Sequence, residues 1–176
     1  IDRGCPEGLR DAAIVCLLAT YGVRGVQVRR LCLEHIDWER ARIHFPACKR
    51  GRAVEQHLTA KAGNRLADYI ADGRPKSPHR EVFLLHSTAA PITKPRQLFR
   101  IIDRRLGQTN VPVPPGVSRG THGFRHAFAT RMTGRVPFKD LVDMLGHRSP
   151  SNTFIYAKVD VRALQQAALP WPGAAS

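Results

Sequence analysis

Residues 121–160, THGFRHAFATRMTGRVPFKDLVDMLGHRSPSNTFIYAKVD, place histidines, arginine and a phenol in a short, mostly helical span. His122 and Arg125 are three apart, so a helix puts them on one face. His147 follows the apolar stretch LVDMLG, which ends in glycine, and Tyr156 comes nine residues later. Phosphoryl transfer to tyrosine would use these groups. An arginine holds the phosphate, histidines move protons or donate hydrogen bonds, and the phenol oxygen attacks. A phenol near its reference pKa of about 10 is mostly protonated at neutral pH, so it needs a base or a cationic site. In FIY alone, Tyr156 reads as a core residue; its place nine residues after LGH turns the reading to the nucleophile.

H-x-x-R, then L-G-H, then Tyr156 resembles the pattern of the tyrosine recombinases, the phage-integrase-like enzymes. Upstream, YGVRGVQVRRLCLEHIDWE resembles their first catalytic box, in which an arginine follows a tight glycine-containing turn. That points to Arg24. RIHFPACKRGRAVEQHL is similar to their β-hairpin with a catalytic lysine, and points to Lys49. The four motifs occur in the family's order and span nearly the whole chain.

The resemblance implies a catalytic set of Arg24, Lys49, His122, Arg125, His147 and Tyr156. The two arginines would clamp the non-bridging oxygens of the scissile phosphate, since a guanidinium offers phosphate a planar, permanently charged fork. Lys49 would protonate the departing 5′ oxygen if nearby arginines lower its pKa. A solvated hairpin-tip lysine is the plainer alternative, and Arg50 and Arg52 are neighbouring candidates for phosphate contact. His122 would handle protons at the start of its helix, with Thr121 as an N-cap. His126 reads as structural. His147, at a helix C-terminus, would donate to the phosphate or simply complement the helix dipole.

The implied reaction is site-specific DNA recombination through a 3′-phosphotyrosine intermediate, with no metal and no nucleotide cofactor. Its implied partner is double-stranded DNA, bound by a homotetramer. Two other classes stay open: a type IB topoisomerase-like enzyme, and a catalytically impaired basic DNA-binding module. Two departures stand out. The family usually has an acidic residue three positions after the first arginine, where this chain has Gln27. An amide can hydrogen-bond but carries no charge, so support of the site is expected to be weaker or rerouted. The family's N-terminal helical DNA-gripping domain is also expected to be absent, leaving residues 1–176 as one catalytic domain.

Composition agrees with a polyanionic partner. Lys and Arg number 28 against 14 Asp and Glu, for a formal net charge of +14. Nucleic acid is preferred to a membrane surface because Arg and Lys recur throughout the chain and phosphate-handling motifs accompany them. Cys5, Cys16, Cys32 and Cys48 contain no CxxC pair, and Cys16 and Cys32 read as reduced core residues. His44 and Cys48 are four apart but lack a second ligand pair for zinc. No signal peptide or membrane span is read, so a cytoplasmic setting is expected, in a bacterial, phage or mobile-element protein.

These residues need a scaffold. The chain reads as a mixed α/β fold, mostly α-helical with a small antiparallel sheet. A buried helix over 7–21 is stopped by Gly22, and a second helix covers 25–33. Strands are expected near 36–38, 41–45 and 53–58, with CKRGR at a hairpin tip. A helix over 60–72 ends at Gly73, and VFLLHS is a short strand or extended segment. A basic amphipathic helix covers 94–106 through Leu98, Ile101, Ile102 and Leu106. Helices near 122–133, 137–145, 150–158 and 161–168 follow, then a flexible tail over 169–176.

Overall fold

The structure is a computed structural model that describes residues 4–49, 51–109 and 118–147. Arg50, Tyr156, the helices expected over 150–158 and 161–168, and the tail lie outside the described residues. Helix α1 (Pro6–Tyr21) is the centre of the fold. Proline at its first turn costs no hydrogen bond, because those N–H groups have no helical partner. The apolar run behind it buries Ala13, Ile14, Leu17 and Leu18 completely. The helix stops at Gly22, whose φ of 60° lets its N–H close onto Leu18 O at 3.1 Å.

A short helix α2 (Gly25–Arg29) leads to a three-stranded antiparallel sheet of β1 (Ile36–Asp37), β2 (Arg42–Phe45) and β3 (Val54–His57), in that order. Register pairs Ile36 with Ile43 and Phe45 with Val54. The two-residue alternation of β2 sends Ile43 and Phe45 into the core and Arg42 and His44 to solvent. Helices α3 (Ala60–Asp68), α4 (Pro95–Gly107), α5 (Thr121–Met132) and α6 (Phe138–Met144) complete the described fold. Thus the fold is mixed α/β, mostly helical with a small sheet, as expected. Helices α3 and α5 both pack on α1, and α6 touches β3. Each fully buried leucine or isoleucine contributes about 1.5–3 kcal/mol.

An ionic cluster joins α1 to α4. The Asp11 carboxylate is fully buried and accepts from Arg10 at 2.8 Å, Arg105 at 2.7 Å and Arg104 at 3.0 Å. Burying that carboxylate is tolerable only because several guanidinium groups meet it.

Local expectations fail in four places. Helix α2 ends at Arg29, not near 33, because the following residues trade helical bonds for pairing with 80–82. Val82 N donates to Leu31 O at 2.8 Å and Leu33 N to Arg80 O at 2.9 Å, which buries Leu31. Cys32 is consequently only half-buried, not a core residue; Cys16 is buried as expected. The helix expected over 60–72 widens to a π-helical turn at Tyr69–Gly73, which keeps the buried Tyr69 ring stacked on Phe83. Gly120, not Thr121, is the N-cap of α5. Residues 82–85 of VFLLHS are extended, with one isolated bridge from Leu84 to Pro91, and His86 and Ser87 enter a turn. Among the described residues no helix is long and apolar enough to cross a membrane.

Candidate active site

Arg24 is the N-cap of α2 and half-buried. A Cβ on Gly25 would lie 2.7 Å from Thr121 Cγ2, so the start of α2 sits directly on the start of α5. That contact brings Arg24 to the end of α5 that carries His122. The Arg24 side chain crosses to the end of α6, where Nη1 donates to Leu145 O and Gly146 O, each at 3.4 Å.

Arg125 projects from the middle of α5 and is 4% exposed. Its Nη1 donates to Gly22 O at 2.8 Å and its Nη2 to Leu145 O at 2.8 Å. The guanidinium therefore staples the last turn of α1 to the last turn of α6. Its Nη2 also lies 2.6 Å from His147 Nε2.

His147 reaches this position because Gly146 turns the chain with φ +60°. A side chain at Gly146 would also collide with Val54 Cγ2. After this turn His147 N donates to Val142 O at 3.1 Å, and the residue is 5% exposed. Burial, then the charges of Arg125 and Arg24, lower its pKa to about 4. The ring is neutral at neutral pH. With Nε2 accepting from Arg125, its proton belongs on Nδ1.

Lys49 stands exposed at the tip of the β2–β3 hairpin, as its sequence suggests. Below it, Cys48 and Gly51 exchange two main-chain hydrogen bonds of 3.0 Å. A Cβ at Gly51 would overlap Arg24 Nη1 and push that flexible guanidinium aside. The hairpin thus lies against the Arg24 guanidinium. Arg52 N donates to Gly146 O at 3.1 Å and ties the same hairpin to the α6 end.

One cleft of about 820 Å³ is lined by Arg24, Lys49, His122, Arg125 and His147. Five candidates, drawn from four separated segments, therefore share one basic cavity with ample room for a phosphate. Tyr156 lies outside the described residues. Arg52 lines a second groove, with Glu55, Asp140 and Asp143, that shares His147 with the cleft. His126 is exposed on α5 and does not line the cleft.

The cleft also contains residues that no local motif marks. Arg29, Arg30 and Arg96 add positive charge, and Phe99, 46% exposed, adds an aromatic face. Their only sequence signal is basic residues clustered on α2 and at the start of α4. Burial, then the adjacent Arg30 charge, pushes the Arg29 pKa down, and its Nη1 donates to Thr93 O. The arrangement can hold an anionic phosphate against buried and half-buried guanidinium groups, with an imidazole and an exposed ammonium beside it.

Comparison with known proteins agrees with this cleft. The family model described as the phage integrase family matches residues 2–162. The integrase/recombinase named y4rA of Sinorhizobium fredii is 42% identical over 179 residues, covering 99% of this chain and 42% of that protein. Tyrosine recombinase XerA of Pyrococcus furiosus is 26% identical, over 92% of this chain and 54% of that protein. The chain thus spans about half or less of the length of these two relatives. In fold it is similar to the XerH site-specific recombinase bound to palindromic difH substrate in a post-cleavage complex. The TM-score is 0.75 at 19% identity, covering 97% of this chain and 48% of that one. The matched span and the identity to y4rA establish that this chain belongs to the phage integrase family, the tyrosine recombinases.

Proposed function

We propose that this chain is a DNA strand transferase that cuts and rejoins duplex DNA at specific sites through Tyr156. The observation that supports this most is the shared cleft of Arg24, Lys49, His122, Arg125 and His147. In the proposed step Tyr156 Oη attacks the scissile phosphorus and the bond from phosphorus to the 5′ oxygen breaks. The phenol proton leaves through His122, and Lys49 supplies a proton to the departing 5′ oxygen. Arg24 and Arg125 take up the charge that grows on the non-bridging oxygens, and His147 adds a hydrogen bond. A 5′ hydroxyl from another strand then attacks the phosphotyrosine and reverses the step. The phosphotyrosine retains the bond energy of the phosphodiester, so no nucleotide is consumed. Four protomers on two duplexes would carry a complete exchange. The Tn1549 transposon integrase, a neighbour in fold, is in complex with circular intermediate DNA, which agrees with duplex DNA as the partner here.

The test is trapping on a nicked suicide DNA substrate, whose short 5′-hydroxyl fragment diffuses away after cleavage. A covalent protein–DNA adduct that maps to Tyr156 is expected, and Tyr156→Phe should form none while binding DNA as wild type does. An adduct on another residue, or none, would sink the reading. Relaxation of supercoils without strand exchange would instead favour a topoisomerase.

A further inference from the structure

Gln27 stands three residues after Arg24 and is 1% exposed. Its Oε1 accepts from the Arg24 main-chain N–H at 3.1 Å. Its Nε2 donates to Pro46 O at 3.2 Å and to Arg52 O at 3.3 Å. Those carbonyls lie three residues before and three residues after Lys49, on the two sides of the hairpin neck. One amide thus joins the backbone that presents Arg24 to the base of the turn that presents Lys49. The circuit closes through Arg52 N, which donates to Gly146 O, the same carbonyl that accepts from Arg24 Nη1.

The donors matter. A primary amide has two N–H donors beside its carbonyl acceptor, and both are used here. An ionised carboxylate has acceptors only. In this place it would face two carbonyl oxygens in a buried site, leave both unsatisfied and gain nothing from the hairpin. Gln27 is therefore a rerouted support with its own hydrogen-bond logic. The geometry points to Gln27 as a positioning residue that sets where Lys49 stands relative to Arg24, through amide donors that no carboxylate supplies. This inference rests on the reading of Lys49 as the general acid.

Gln27→Glu isolates the hairpin arm. It keeps an acceptor for the Arg24 N–H and removes both donors to the neck. Single-turnover attachment would be measured at saturating DNA on two suicide substrates, one ordinary and one with a 5′-bridging sulfur. A thiolate leaves without a proton, so the sulfur substrate does not need Lys49. The expected result is a loss of roughly a hundredfold on ordinary DNA, the scale of a catalytic group displaced by about 1 Å. On the sulfur substrate the variant should cleave near the wild-type rate. Equal loss on both substrates, or no loss on ordinary DNA, overturns the inference. If the buried glutamate unfolds the protein, Gln27→Met, neutral and of similar length, takes its place. It also removes the acceptor for the Arg24 N–H, so it should be slow on ordinary DNA and regain only part of its rate on sulfur, and equal loss on both would again overturn the inference. Wild type that attaches to neither substrate would instead sink the proposed function. Lys49→Ala unrescued by sulfur would sink the role of Lys49.

Discussion

Arg125 Nη2 and His147 Nε2 lie 2.6 Å apart in a buried contact. A guanidinium has only donors, so the imidazole must accept and stay neutral. Burial, then the charges of Arg125 and Arg24, holds the His147 pKa at about 4, against 6.5 for an ordinary histidine.

The sign of the resulting pH dependence follows directly. Between pH 6.5 and 4 the unfolded chain binds a proton at His147 that the folded protein does not. This residue leaves stability untouched above that window, costs stability as pH falls through it, and adds no further cost below it. Melting temperatures of wild type and His147→Gln should therefore diverge from one another on acidification, with the variant losing less. Parallel melting curves over the window would refute a neutral, buried His147.

Asp11 predicts a stability effect remote from the cleft. Asp11→Asn leaves the buried guanidinium groups of Arg10 and Arg105 without their shared carboxylate. Breaking a buried pair in this way costs about 3–5 kcal/mol. For a chain of this size that lowers the melting temperature by roughly 6–20 °C. Attachment to suicide DNA at a temperature where the variant is folded should stay near wild type.

Lys49 and Arg125 should separate by substrate chemistry. Lys49→Ala should lose attachment on ordinary DNA and recover it when the 5′ bridging atom is sulfur. Arg125→Ala should lose roughly a hundredfold or more on both substrates, because charge stabilisation is needed whichever atom leaves. Recovery of Arg125→Ala but not of Lys49→Ala would reverse the two assignments.

Binding should depend steeply on salt. The net charge is +14, and Arg29, Arg30 and Arg96 line the cleft beside the candidate catalytic groups. Affinity for duplex DNA should fall by about 0.9 log unit per log unit of salt for each phosphate contacted. Arg96→Ala should reduce that slope by about one if Arg96 meets a phosphate. Titrations at several salt concentrations measure it, and a slope near zero for wild type would argue against a phosphate-dominated interface.

The order of the motifs, the basic charge, the central helix, the sheet and the Lys49 hairpin were all legible in the sequence. Each depends on short-range properties: apolar periodicity, glycine stops and two-residue alternation in strands. Tertiary structure decided what those signals could not reach. Helix α2 stops early because Leu31 pairs with Val82, some fifty residues away in the chain. Arg125 is buried because carbonyls 103 residues before it and 20 after it converge on its guanidinium. The Asp11 cluster joins residues 94 apart, and no pattern within either helix announces it. Gln27 is the sharpest case. The sequence showed an amide where an acidic residue is usual. Only the fold brought Pro46 and Arg52 to its two donors, because hydrogen-bond partners are chosen by where distant backbone segments meet.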